Sequence, residues 1–238
     1  MSVAQGLYEG VKVEGKGTIG LITYMRTDST RISEEARKFA KEHIVSKYGE
    51  NYYENRYFKT KDNSQDAHEA IRPTYIELEP DKIKESLTND QYKLYKLIYN
   101  RFIASQMAAA VYDTVSASIG VNSYLFKANG QNLKIKGFKT LYVETLDKEE
   151  DSENTTIPEL EKNQEVVNKK IETKQSFTEP PPRYTEASLV KVLEEKGIGR
   201  PSTYSPTITT ILERRYIEKN QKQLVPTDLG KIVNKLLT

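Results

Sequence analysis

A tyrosine and an arginine stand two residues apart where an apolar run ends, in the stretch GLITYMRTDST at residues 20–30. A tyrosine hydroxyl has a pKa of about 10, so it is a poor nucleophile until a cation or a metal stabilises the phenolate. Arginine suits a phosphate under attack, because its planar guanidinium meets two phosphate oxygens at once. On an extended segment Tyr24 and Arg26 point to the same side and could reach one phosphodiester. Spacing alone, however, favours a half-buried strand end with a surface salt bridge.

Hydroxyl groups and an acid surround this pair. Thr27, Ser29 and Thr30 supply hydroxyls that could contact neighbouring phosphates or cap the helix that follows. Asp28 could orient Arg26 through an ion pair or simply hold the turn. These side chains therefore predict either a phosphate-binding cluster or an ordinary polar turn.

Composition restricts the classes of protein that this chain can represent. It has 238 residues, 29% of them charged, which favours a two-domain or open multi-segment body over one dense globule. It has no cysteine, which excludes a disulfide framework and a thiolate metal site. The sequence contains neither an apolar run long enough to span a membrane nor an N-terminal signal pattern. With a net charge of +2, any binding to nucleic acid must rely on local basic clusters.

Glycine-spaced residues before the tyrosine nearly match a phosphate-binding P-loop. The stretch GVKVEGKG at residues 10–17 lacks the serine or threonine that would hold magnesium, because Gly17 takes that place. Residues 1–20 therefore predict a hairpin or loop, and we expect no ATP site there.

Two amphipathic helices are predicted in the first half of the chain. The first begins after Ser33 and ends at Gly49, and the second begins after Thr88, which is predicted to form a capping box with Gln91. Residues 50–80 between them are polar and loop-like. The apolar face of the first helix is predicted to contain Ala36, Phe39, Ala40 and Ile44.

The pattern changes to strands and then to a second helical part. From about Tyr112 polar and apolar residues alternate, with predicted turns at Asn129–Gly130 and Gly137. Residues 147–165 predict a surface loop, and residues 165–180 another strand pair, before three prolines form a stiff boundary. A helix capped by Thr185, a helix near residues 203–214, a two-stranded wing at residues 216–227 and a helix capped by Thr227 then follow the order of winged-helix DNA binders.

Arg200 stands at the turn that enters the second of these helices, where free N–H groups favour a phosphate. We expect this region to hold phosphate groups. Capping by Ser202 and solvated charge at Lys191 are the alternatives. The residues expected to contact these phosphates are Ser188, Lys191, Arg200, Ser202, Thr203 and Tyr204.

Three stretches resemble the motifs of type IA DNA topoisomerases, and they occur in that family's order. GLITYMRTDSTRIS at residues 20–33 resembles the segment that carries the nucleophilic tyrosine, and DAHEAIRPT at residues 66–74 resembles the histidine-bearing motif. The stretch from PPPRYTEAS to GRPSTY at residues 180–204 resembles a segment that helps to build the single-strand-binding face. Within the family, the segment is more similar to bacterial topoisomerase I than to the topoisomerase III branch at Met25, Thr27 and the DST triplet. The motifs do not distinguish topoisomerase I from the topoisomerase-like half of a reverse gyrase.

The resemblance implies a mechanism for Tyr24. It attacks a phosphate of single-stranded DNA, forms a 5′-phosphotyrosine link and frees a 3′-hydroxyl, and negatively supercoiled DNA is relaxed by strand passage and religation without ATP. Arg26 is implied to hold the scissile phosphate, as the second catalytic residue. The residues implied to bind DNA or support the site are Thr23, Thr27, Asp28, Ser29, Thr30, His68, Glu69, Arg72, Ser188, Lys191, Arg200, Ser202, Thr203 and Tyr204.

The resemblance also implies parts that this sequence lacks. The family binds Mg²⁺ through a glutamate and a D-x-D motif of an N-terminal Toprim domain, and no Asp-x-Asp occurs here. We therefore expect an internal fragment, inactive or impaired alone, with no metal ligands or zinc of its own. The intact enzyme is expected to be a monomer of the bacterial cytoplasm, associated with the nucleoid.

The implied fold is α+β in three parts. Residues 1–110 are expected to form a mostly helical, winged-helix-like nucleophile domain, residues 111–180 a β-rich segment of an arch, and residues 181–238 a helical DNA-binding segment.

Two other classes compete with this interpretation. Tyrosine recombinases and type IB enzymes place their tyrosine after the basic residues, whereas Tyr24 precedes them, and HEAIR has the wrong spacing for their His-x-x-Arg. A non-catalytic winged-helix module fits the last segment alone, but such a binder would be indifferent to losing the Tyr24 hydroxyl.

Overall fold

The computed structural model describes residues 1–58, 68–143, 157–158 and 160–238. The predicted α+β class is confirmed, and no helix within these ranges is long and apolar enough to cross a membrane. The elements, in chain order, are α1 Ser2–Glu9, β1 Val11–Val13, β2 Gly17–Ile19, α2 Glu34–Tyr48, α3 Asn89–Ser105, β3 Val111–Val121, β4 Tyr124–Ile135, α4 Glu186–Glu195, α5 Tyr204–Glu213, β5 Ile217–Asn220, β6 Gln223–Pro226 and α6 Asp228–Leu237.

The chain divides into two compact units. The first comprises Met1–Ala109, Gly137–Glu144 and Tyr184–Thr238, and the second Ala110–Lys136 and Thr145–Arg183. The motif residues Tyr24, His68 and Arg200 all belong to the first unit.

The main hydrophobic core of the first unit lies among α1, α2 and α3. Leu7, Ile44, Tyr95 and Ile103 are fully buried there. Tyr95 and Tyr99 donate their hydroxyls to the carbonyls of Leu78 and Ile76, so two polar groups enter the core with their hydrogen bonds satisfied. Burial raises the pKa of both hydroxyls well above the usual value. These two tyrosines are therefore structural.

The predicted caps of α2 and α3 are confirmed. Ser33 accepts a hydrogen bond from the N–H of Ala36, and Thr88 and Gln91 form the reciprocal capping box. The predicted apolar face of α2 is wrong at Phe39, which is 50% exposed, whereas the other three predicted residues are buried.

The first twenty residues differ in part from the predicted hairpin or loop. Residues 11–19 do form an antiparallel hairpin of β1 and β2, which is not the strand–loop–helix of a P-loop. Ser2–Glu9, however, form helix α1, which packs on α3 and buries Ala4 and Leu7. This helix was not predicted from the sequence, because it is only eight residues long and contains Gly6, a poor helix former.

The second unit contains one long hairpin, in which Val111–Val121 pair antiparallel with Tyr124–Ile135. The predicted turn at Asn129–Gly130 is wrong, because these residues lie within β4 and the chain reverses at Asn122, whose φ is 53°. The predicted strand pair at residues 165–180 is also wrong, since these residues form no strand. Much of the predicted loop at residues 147–165 lies outside the described residues.

Gly137, where the sequence predicts a turn, returns the chain to the first unit. Its φ is 50°, and it begins a short 3-10 helix. A Cβ there would lie 2.4 Å from the carbonyl oxygens of Ala108 and Ala109. Only glycine fits this close backbone approach.

Residues 184–238 have the predicted helix, helix, wing and helix. Thr185 and Ser188 form a capping box at the start of α4, and β5 pairs antiparallel with β6. Thr227 accepts a hydrogen bond from the N–H of Gly230 and caps α6. These caps were predictable because each is a contact between residues three apart.

Candidate nucleophile site

The segment that carries Tyr24 pairs with the segment that follows His68. Ile22 bridges Pro73 in antiparallel fashion. The N–H of Thr74 donates to the carbonyl of Leu21, and the N–H of Thr23 donates to the carbonyl of Arg72, both at 3.0 Å. Leu21 and Ile22 are buried in the core. Two motifs about fifty residues apart in sequence are therefore held side by side by backbone hydrogen bonds.

Thr23 fastens these two segments further through its side chain. Its hydroxyl donates to the carbonyl of Ala70 at 2.7 Å and accepts from the N–H of Arg72 at 2.9 Å. Thr23 thus supports the site through the loop that holds His68.

We expect Thr23→Val to destabilise the first unit by about 1–3 kcal/mol, since two partly buried hydrogen bonds are lost at about 0.5–1.5 kcal/mol each. Thr23→Ser, which keeps the hydroxyl, is the matched control and should lose less. Urea unfolding of the purified chain measures the difference. Equal free energies of unfolding for the two variants would show that the hydroxyl does not hold the segments together.

Tyr24 lies between two other rings. Its ring centroid is 4.9 Å from that of His68 at an interplanar angle of 32°, and 5.4 Å from that of Tyr8 at 68°. Tyr24 also packs on the hydrophobic core while remaining partly exposed. A partly exposed tyrosine whose ring is braced by two others is suited to meet a ligand from solvent.

The turn after Arg26 uses two of the predicted hydroxyls internally. The Oγ1 of Thr27 accepts from the N–H of Ser29, and the Oγ of Ser29 accepts from the N–H of Arg31. Ser29 is buried, and Thr30 is exposed. Capping of α2 by these residues, one of the two predicted roles, does not occur, because Ser33 caps it.

A cavity of about 190 Å³ brings the three motifs together. Arg26, His68 and Arg200 come from segments that are far apart in the sequence, and all three line it. The complete lining is Arg26, Thr27, Asp28, His68, Arg200, Pro201 and Ser202. Two guanidinium groups against one carboxylate make this an anion-favouring cavity.

Arg26 and Arg200 present their charge to solvent. Both are exposed, and within the described ranges neither guanidinium forms a hydrogen bond or an ion pair, with Asp28 or any other residue. Their positive charges are therefore available to an anionic ligand.

Glu69 and Arg72 brace the loop after His68. The Nε of Arg72 lies 2.7 Å from a carboxylate oxygen of Glu69, and both side chains are mostly buried. Arg72 also donates to the carbonyl of Pro73 at 3.0 Å. Arg72 is thus committed to holding the loop.

The remaining predicted residues lie around α4 and α5. Ser188 uses its hydroxyl in the capping box with Thr185, and Lys191 is exposed on α4. Thr203 donates its hydroxyl to the carbonyl of Arg200 and accepts from that residue's N–H at 2.9 Å, which closes the turn before Tyr204 begins α5. Ser202 is not the N-cap, because Thr203 takes that position.

Within the described ranges, no three His, Asp or Glu side chains converge where a metal ion could be held. The described residues therefore do not fit a magnesium site. The chemistry they offer is that of an aromatic hydroxyl, two guanidinium groups and an imidazole.

Comparison with known proteins shows the family of this chain. The sequence model of a family described as DNA topoisomerase matches residues 1–238. The structure of full-length topoisomerase I from Thermotoga maritima is similar, with a TM-score of 0.76 and 35% identity over 100% of this chain. The chain spans 38% of the length of that protein. The resemblance read from the three motifs is confirmed, and the chain belongs to the DNA topoisomerase family.

Proposed function

We propose that this chain is the nucleophile-bearing part of a type IA topoisomerase that cleaves and reseals one DNA strand. The supporting observation is the convergence of three distant segments on one cavity, lined by Arg26, His68 and Arg200. The ring of Tyr24 stacks on His68 of the same cavity. Through this contact the hydroxyl of Tyr24 is proposed to reach a phosphate held in the cavity, because phosphoryl transfer needs a nucleophile and cations around one phosphate.

The cleavage step conserves the energy of the DNA backbone. The oxygen of Tyr24 attacks the phosphorus of a phosphodiester, loses its proton, and forms a phosphotyrosine bond to the 5′-phosphate. The bond from phosphorus to the 3′-oxygen breaks, and that oxygen gains a proton. Because one phosphate ester replaces another, religation by the free 3′-hydroxyl requires no ATP.

Arg26 and Arg200 are proposed to stabilise the charge that grows on the phosphate oxygens. Their guanidinium groups are exposed on the cavity and free of partners among the described residues. An approaching phosphate therefore breaks no ion pair with any of the described residues. Arginine can bind two phosphate oxygens at once, which also fixes the orientation of the phosphate.

His68 is proposed to keep the Tyr24 ring in place and to offer a ring nitrogen to the DNA backbone. The close stacking of the two rings supports the first role, and the place of His68 in the cavity lining supports the second. The Thr23 hydrogen bonds and the Glu69–Arg72 ion pair hold its loop.

The rest of the reaction is proposed to need other parts of a longer protein. The chain spans 38% of the similar topoisomerase I, and its described residues do not fit a metal site. We propose that Mg²⁺ binds a Toprim domain in cis, outside this chain. The chain alone should therefore bind single-stranded DNA but cleave it poorly.

A non-catalytic winged-helix binding module is the second candidate, because α4, α5, the β5–β6 wing and α6 have that order. This alternative gives no role to the rings around Tyr24, which lie outside that segment. A binding module would also leave the topology of DNA unchanged.

Relaxation of a plasmid separates the two candidates. The intact enzyme that carries this chain is incubated with negatively supercoiled plasmid, magnesium and no ATP, with Tyr24→Phe as the control. We expect the linking number to rise in single steps with the wild type only. A plasmid that is bound but not relaxed, or relaxed equally by the Tyr24→Phe variant, would refute the proposed function.

A further inference from the structure

The tyrosine of helix α1 touches the proposed nucleophile. Tyr8 meets Tyr24 edge to face, with ring centroids 5.4 Å apart at 68°. This T-shaped geometry is one of the arrangements that aromatic pairs prefer. An unbraced tyrosine side chain can occupy several staggered rotamers. A ring in contact with Tyr24 therefore restricts the directions in which its hydroxyl can point.

The backbone of Tyr8 is fixed relative to the segment that carries Tyr24. The N–H of Leu21 donates to the carbonyl of Leu7 at 2.8 Å. At Gly20, an added Cβ would lie 2.5 Å from the carbonyl oxygen of Tyr8. Glycine therefore permits the close approach of α1 to the segment. These two backbone contacts hold α1 against the segment that carries Tyr24.

Tyr8 contributes little to the hydrophobic core. Its side chain is 39% exposed, whereas the neighbouring Leu7 is completely buried and anchors α1. Within the described ranges the hydroxyl of Tyr8 has no hydrogen-bond partner. The ring rather than the hydroxyl is therefore the part of Tyr8 that acts on Tyr24.

We propose that Tyr8 is a positioning residue, which holds the Tyr24 ring from α1 while His68 holds it from the loop at residues 68–74. This inference rests on the proposed function, since it assigns Tyr8 to the cleavage step of the same site. Tyr8 itself need not touch the DNA. Its loss should slow the attack of Tyr24 without weakening the binding of DNA.

Single-turnover cleavage in the intact enzyme tests this role. At saturating single-stranded oligonucleotide, we expect Tyr8→Ala to cleave about two- to tenfold more slowly than wild type. This factor corresponds to the typical stabilisation from one aromatic pair, converted into a rate. The Kd for the oligonucleotide should not change. Tyr8→Phe, which keeps the ring, should restore the rate. Tyr75→Ala removes a similarly exposed ring, 37% exposed, outside the cavity lining, and should match the wild type.

The following outcomes would contradict the positioning role of Tyr8. Tyr8→Ala at the wild-type rate, or a defect confined to the Kd, would show that Tyr8 does not position Tyr24. An equal loss in Tyr8→Phe would assign the effect to the hydroxyl instead. If Tyr8→Ala lowers the melting temperature, Tyr8→Leu keeps the apolar bulk without the aromatic ring and must show the same slow cleavage.

Failure of the proposed function gives a different pattern. A wild-type enzyme that forms no covalent complex with DNA refutes both the function and the role of Tyr8. A wild type that forms the complex, beside a Tyr24→Phe variant that does not, supports the function whatever the Tyr8 variants do.

Discussion

Tyr24→Phe is expected to lower DNA cleavage by the intact enzyme at least about a thousandfold, because it removes the nucleophile itself. The substitution deletes one oxygen and keeps the ring, so the contacts with Tyr8 and His68 remain. The fold and the affinity for single-stranded DNA should therefore be retained. Quantification of the detergent-stable protein–DNA complex measures the loss.

Tyr75→Phe is the matched control for that variant. It deletes the same atom from a tyrosine that is 37% exposed and outside the cavity lining. We expect it to form the complex at the wild-type level. A Tyr24→Phe enzyme that still cleaves would require another nucleophile and would contradict the assignment.

The second large effect is expected at Arg26. Arg26→Ala should reduce the cleavage rate about 10²–10³-fold, the cost typical of removing one group that stabilises the charge of a transition state. Arg26 is exposed and has no hydrogen-bond or ion-pair partner among the described residues. Its removal should therefore leave the free energy of unfolding nearly unchanged.

Two further variants separate geometry from charge at this position. Arg26→Lys should recover part of the rate, because lysine restores the charge but not the planar guanidinium. Arg56→Ala removes one positive charge from a surface pair with Glu54 and should cost little. Single-turnover cleavage at fixed ionic strength compares the three. Equal losses in Arg26→Ala and Arg56→Ala would show that only net charge matters.

The features that could be predicted from the sequence are mostly local. The caps at Ser33, Thr88, Thr185 and Thr227 each depend on residues three apart, and the structure confirms all four. The turn of the long hairpin was placed wrongly, because Asn129–Gly130 carries a strong local turn signal that pairing of β3 with β4 overrides.

The assembly of the site could not be predicted from spacing. Arg26, His68 and Arg200 meet only because residues 21–23 pair with residues 72–74 and because residues 184–238 belong to the same unit. No periodicity in the sequence carries that information, and the motif resemblance implied only that each of the three residues binds DNA or supports the site. Tyr8 lies in none of the three motifs. Its contact with Tyr24 depends on helix α1, which was not predicted because the start of the chain is rich in glycine.

The most direct test of the account is transfer of label from a single-stranded oligonucleotide to the protein. The intact enzyme is mixed with magnesium and with oligonucleotide labelled at either the 3′ or the 5′ end, then denatured. A 5′-phosphotyrosine link predicts that the 3′-end label travels with the wild-type protein, that the 5′-end label does not, and that Tyr24→Phe retains neither. Retention of the 5′-end label, or of no label despite binding, would contradict the account.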